Sequence, residues 1–164
     1  MNEIRYLSEA DDRYEISSIY EKSWKTAYRG IVPGEFLDSI PEGRWASKVD
    51  TPEWKTLVFA CDGKLVGTCS FCASRFEEFR GYGEIISIYF LPEFTGKGYG
   101  RQLLERAISE LGKAGYCDVH LWVLEDNRNA RAFYSKLGFE DTDRIIEDEI
   151  GDKKLKEICV VRRI

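Results

Sequence analysis

The sequence has no apolar run near the ~20 residues that a membrane-spanning helix requires. No membrane helix is therefore expected. Its start, Met1-Asn2-Glu3-Ile4-Arg5, lacks the basic and apolar regions of a secretory signal, which points to the cytoplasm. Histidine is nearly missing, with His120 the only one. Cys69-x-x-Cys72 has no second Cys/His pair to complete a metal site, and residues three apart on a strand face opposite ways. No metal is expected. The five cysteines are odd in number and scattered, as suits reduced thiols. Basic residues do not cluster on any expected helix and the net charge is −5, so nucleic acid is not an expected partner. Linkers, repeats and low-complexity stretches are absent. The 164 residues, 43% hydrophobic, read as one domain, 1–164, with a sizeable core.

What is present centres on Glu84 to Glu105. Its first half, Glu84-Ile-Ile-Ser-Ile-Tyr-Phe-Leu91, is β-branched and aromatic, as a buried strand is, and Pro92 ends it. A loop with glycines at 96, 98 and 100 follows. A helix then begins, with Leu103, Leu104, Ala107, Ile108 and Leu111 on one face. Strand, glycine loop and helix make a device for holding phosphate. The first N–H groups of a helix have no intrahelical partner, the dipole favours an anion, and glycine lets the ligand approach the backbone. Two common phosphate loops fail. Arg101 stands where the dinucleotide fingerprint needs a third small residue, and no Gly-Lys-Ser/Thr closes a Walker loop.

The rest of the chain can be read in order. Ile4–Leu7 is a short strand. Asp11 or Asp12 caps a helix with the stripe Ile16, Ile19, Tyr20, Trp24 and Ala27. Pro33 opens a second helix, and a third helical piece is expected around Arg44, Trp45 and Val49. Residues 56–61 and 64–73 form a hairpin about Asp62-Gly63. A strand follows at 118–123. Next comes a helix capped by Asn127 or Asn129, with Ala130, Phe133, Tyr134 and Leu137 on its apolar face and Gly138 as its stop. Residues 143–149 and 153–161 close the chain as a charged hairpin.

Two segments together resemble the GNAT family of N-acetyltransferases. Thr95-Gly96-Lys97-Gly98-Tyr99-Gly100 resembles the family's acyl-CoA loop, Gln/Arg-x-x-Gly-x-Gly/Ala, departing only at Thr95. Asn127-Arg-Asn-Ala130-Arg-Ala-Phe133-Tyr134-Ser-Lys-Leu-Gly138-Phe139 resembles its second motif, with Asn127 the match by spacing to Ala130. The resemblance covers nearly the whole chain. It implies an α/β (α+β) fold, a mixed and largely antiparallel seven-stranded sheet flanked by helices in the order β-α-α-β-β-β-α-β-α-β-β.

The resemblance also implies acetyl-CoA as cosubstrate and a small-molecule or peptide amine as acceptor. The amides of Gly96, Lys97, Gly98, Tyr99, Gly100 and Arg101 would bind its pyrophosphate. Lys97 and Arg101 would either add charge or stay solvated. Ile88, Tyr89 and Phe90 would pair with the pantetheine arm and polarise the acetyl carbonyl. Asn127 would contact the same arm. Glu84 lies fourteen residues before Gly98, the spacing of the general base in histone-acetylating members. A surface ion pair, or orientation of the amine while water carries the proton, are its other readings. Tyr134 would be the general acid, serving the leaving sulfur. Trp24 and Tyr28, four apart and so on one helix face, are candidates for an aromatic wall at the acceptor site, or for core. A non-catalytic acyl-CoA sensor is the alternative function. Polyamine, peptide, amino-acid and antibiotic acceptors all stay open, and a homodimer is compatible with the sequence.

Overall fold

The computed structural model describes residues 1–164. One seven-stranded sheet forms the framework. β1 (Asn2–Tyr6), β2 (Lys55–Cys61), β3 (Lys64–Ala73) and β4 (Gly83–Phe90) pair antiparallel in that spatial order. β5 (Asp118–Leu124) lies parallel to β4. β7 (Lys153–Arg163) pairs with β5, and β6 (Glu140–Ile150) is the outer edge. The helices are α1 (Arg13–Ala27), α2 (Gly34–Ser39), α3 (Tyr99–Lys113) and α4 (Arg128–Lys136). The order of elements is the one the sequence implies.

Local chemistry explains the boundaries. Asp12 accepts the Tyr14 N–H at 2.8 Å and starts α1, which buries Ile16, Ile19 and Tyr20. Asp62 and Gly63 both take positive φ (48° and 83°), as do Gly151 and Asp152 (57° and 66°). These are the two-residue turns whose twist matches a hairpin. The piece expected to be helical near Trp45 is instead a run of turns ending in a 3-10 turn at Lys48–Asp50. Side chains on α1 hold it there: Ser17 Oγ accepts the Trp45 N–H and Glu21 accepts the Gly43 N–H.

Helices cover both faces of the sheet. α1 reaches β4 through Tyr20, whose hydroxyl meets Ser87 Oγ at 3.0 Å and whose ring lies 4.7 Å from that of Tyr89. On the other face Phe90 packs on Phe59, which stacks on Tyr99 of α3. Successive residues of a strand point to opposite faces, so Tyr89 and Phe90 separate the two helix layers. α3 buries the stripe its sequence shows, with Leu103, Leu104 and Ala107 at 0% exposure. Burying a leucine side chain stabilises by about 1.5–3 kcal/mol, so this stripe anchors the helix that follows the glycine loop.

One irregularity positions the site. β4 and β5 pair only at Gly83↔Val119 and Glu84↔His120. Directly beyond, the β3–β4 register slips, Phe71 facing Ile85 and Ser70 facing Ser87. Ile86 is therefore an extra residue, and such a bulge bends its strand. β4 and β5 splay into a fork whose facing edges have no ladder partners.

Candidate active site

The fork holds a cleft of about 330 Å³. Ile86 to Phe90 line it from β4, Trp122 to Leu124 from β5, Trp24 and Tyr28 from the α1 end, and Tyr134 from α4. A second cavity, about 440 Å³, lies at the start of α3 and is lined by Gly96, Gly98, Gly100, Arg101 and Lys136. Phe90, Thr95, Gly100 and Phe133 belong to both. The two cavities are thus one groove, running from the glycine loop to the fork.

The loop end is built for an anion. Gly96 and Gly98 hold φ of +73° and +82°, a region that costs other residues about 1–3 kcal/mol. Gly98 is the N-cap of α3, where no side chain caps and no acidic residue occupies the first turn. The first helical bond joins Gln102 N–H to the Gly98 carbonyl, which leaves the preceding amides without intrahelical partners. A Cβ on Gly96 or Gly98 would meet nothing within 4 Å, so the space over the amides is open. Arg101 and Lys136 supply positive charge there. Lys136 went unnoticed in the sequence, although it lies three residues after Phe133 and so on the same face of α4.

Two side chains of the loop turn away from the groove. Lys97 Nζ sits 5.3 Å over the Phe94 ring, and Tyr99 stacks on Phe59 at 4.8 Å. Neither lines the groove, so only their backbone amides are placed to take part. Thr95, the departure from the family pattern, donates Oγ1–H to the Pro92 carbonyl at 2.8 Å and closes the turn that leads into the loop. Asn127 is the cap of α4, its Oδ1 accepting the Ala130 N–H at 3.2 Å. Its side-chain nitrogen has no partner within the chain, and both it and Asn129 line the cleft.

At the fork, Tyr134 packs edge-on against Phe133 and Phe139, and its hydroxyl makes no hydrogen bond within the chain. Burial pushes this phenol well above the ordinary tyrosine range, so it stays protonated. Burial also pushes Tyr28 up to about 12 and raises Tyr89 strongly. Trp24 and Tyr28 touch edge to face at 4.8 Å and wall the cleft together. The indole N–H groups of Trp24 and Trp122 are buried there without partners.

Glu84 is not brought to the cleft. Its side chain is 1% exposed. Arg75 donates to Oε2 through Nη2 at 2.7 Å, and to Oε1 through Nε and its backbone N–H, both at 3.1 Å. The reason is topological: Glu84 sits at the one place where β4 and β5 are still paired, beneath the fork, and Arg75 folds over it from the β3–β4 connection. The residue expected as the base is the buried half of an ion pair. The carboxylate that does line the cleft is Glu157, on β7 opposite Leu124. Its signal in the sequence was an acid set inside the otherwise apolar alternation Leu155 to Val161.

An uncapped helix start flanked by cations, continuous with a fork whose edges an extended arm can pair with, defines a CoA-dependent acyltransferase. Residues 14–139 match the profile of the Acetyltransferase (GNAT) family, and the chain belongs to that family of N-acetyltransferases. It is 33% identical over 153 residues to an uncharacterized N-acetyltransferase of Bacillus subtilis, covering 90% of this chain and 86% of that protein. It is 27% identical over 161 residues to a spermidine N(1)-acetyltransferase of Thermoplasma acidophilum, covering 93% and 96%. The fold matches that of the PaiA N-acetyltransferase from Thermoplasma acidophilum in complex with coenzyme A, with TM-score 0.77, 23% identity, and 100% and 99% coverage. It also matches a ribosomal-protein-alanine N-acetyltransferase from Brucella melitensis, with TM-score 0.76, 21% identity and 99% coverage of each chain. No helix is long and apolar enough to cross a membrane.

Proposed function

We propose that this enzyme acetylates a primary amine by direct attack, with acetyl-CoA bound along the groove and Tyr134 as the proton donor. Acetyl-CoA supplies the activated acetyl thioester. The donor set fits it: open amides at the loop, with Arg101 and Lys136 beside them, suit a diphosphate. The unpaired β4 edge at Ile88 to Phe90 suits an extended amide-bearing arm, and in this reading its N–H groups polarise the acetyl carbonyl. Tyr134 keeps its proton until negative charge develops beside it. Trp24 and Tyr28 wall the acceptor side and exclude water. Glu84, held by Arg75, anchors the closed end of the fork rather than meeting the amine.

The observation that carries this reading is the groove joining the phosphate end to the half-buried Tyr134 phenol. Relatives named for spermidine and for a ribosomal-protein alanine support an amine acceptor. The test is thiol release from acetyl-CoA against a panel of amines. Turnover is expected for wild type, and Tyr134→Phe should lower kcat by roughly 10²-fold. Binding of acetyl-CoA without turnover of any amine would instead make the chain a sensor.

A further inference from the structure

We infer that Glu157 receives the acceptor's ammonium and takes its proton, and that with Asp148 it selects aliphatic di- and polyamines over free amino acids. This deepens the acetyl-transfer reading and rests on it for the chemical step.

Of the residues lining the fork cleft, Glu157 alone is charged. Glu84, Glu21 and Glu110 also have restricted exposure but are engaged within the chain, Glu84 by Arg75, Glu21 by Ser17 and Gly43, and Glu110 by Tyr6, Arg106 and Lys113. Asp118 and Glu125 are half-buried and unpaired but lie outside the cleft. Glu157 is half-buried and has no hydrogen bond or ion pair. A desolvated carboxylate without a partner is costly, and a cation from outside would relieve it. The groups around it suit one. Trp24, Tyr28 and Trp122 line the same cleft, and aromatic faces attract ammonium groups. No basic side chain lines it, so an acceptor with a carboxylate next to its amine would meet only like charge.

Asp148 extends the site outward. The β6–β7 register sets Asp148 opposite Leu155 and Ile146 opposite Glu157. Asp148 is therefore the diagonal neighbour of Glu157 on one face, about 7–8 Å away, close to the reach of a four-carbon diamine. Lys154 and Lys156 alternate onto the other face, where Lys154 lies 3.9 Å from Glu147. Lys153 shares the Glu157 face, but its Nζ donates to the Ile31 carbonyl at 2.9 Å. Burial and Asp148 raise the Glu157 carboxyl, and Arg75 opposes them while committed to Glu84.

The proton count closes. The new C–N bond replaces the C–S bond. Of the three ammonium protons, one stays on the amide, one leaves through Glu157 to water, and one replaces the proton that Tyr134 gives to sulfur.

The experiment compares wild type, Glu157→Gln and Asp148→Asn on 1,4-diaminobutane, n-butylamine and glycine, with calorimetric binding of 1,4-diaminobutane as a second readout. Melting temperature and acetyl-CoA binding report folding. Wild type should prefer the diamine to the monoamine by roughly fivefold and leave glycine essentially unused. Glu157→Gln should lower kcat/KM for both amines by about 10²-fold and abolish the acid limb of the pH profile, because Glu157 must be ionised to act. Asp148→Asn should remove only the diamine preference. Diamine binding that depends on Glu157 without any turnover would uphold the recognition site and overturn the acetyl-transfer reading. A folded Glu157→Gln protein as active as wild type, preferential use of glycine, or neither binding nor turnover of the diamine would overturn the inference.

Discussion

Tyr134 and Glu84 separate at the level of single residues. The Tyr134 hydroxyl has no partner in the fold, so Tyr134→Phe should leave the melting temperature nearly unchanged while kcat falls. Glu84 shows the opposite pattern. Glu84→Gln gives up charge-assisted hydrogen bonds to Arg75 and should cost about 1–3 kcal/mol of stability by urea unfolding. Its kcat/KM should stay within a few-fold of wild type. A large kcat loss at full stability would restore Glu84 as the base. Arg75→Ala should cost more, about 3 kcal/mol, because it strands a buried carboxylate. The sequence could place Glu84 on the central strand at the spacing of a base. It could not show Arg75 folding over it, because the loop at 74–83 gives no period from which a contact could be read.

The element that matters most is β4 with the loop behind it. A Cβ on Gly67 of β3 would lie 2.4 Å from the Phe90 ring, which lines both halves of the groove. Gly67→Ala should cost about 1–3 kcal/mol through overpacking. Because Phe90 must shift, it should also raise KM for acetyl-CoA. Lys136→Ala should raise the same KM about tenfold with kcat unchanged, and the effect should shrink as salt is added. Strands and helices with apolar stripes were legible: α3 and α4 lie where their periodicity puts them. The closing hairpin runs beyond its expected limits, over Glu140–Ile150 and Lys153–Arg163, since backbone pairing carries a polar edge strand that hydrophobic alternation does not mark.

For the molecule as a whole, acid should lower stability over two separate pH ranges. His120 is buried among Phe76, Phe79 and Trp122, and burial holds its pKa below 6.5. The unfolded chain therefore binds that proton first, and stability should decline as pH falls below about 6.5. Glu110, lowered to about 2 by hydrogen bonds from Tyr6, Arg106 and Lys113, adds stability above 4.5 that is lost as pH falls toward 2. Melting temperature followed from pH 7 to 2 should show both. A curve flat down to pH 4.5 would remove His120 from the account.

The sequence by itself determined the order of elements, the glycine loop, the capped helix carrying Tyr134 and hence the family. Periodicity, turn chemistry and caps act between residues close along the chain. Only the tertiary structure decided which carboxylate faces the cleft. Glu84 and Glu157 lie far apart in sequence, on strands either side of β5. The bulge at Ile86 opens the fork past Glu84 and toward Glu157, and Arg75 covers the carboxylate left behind. That choice depends on where two strands part, a long-range register that no local pattern encodes.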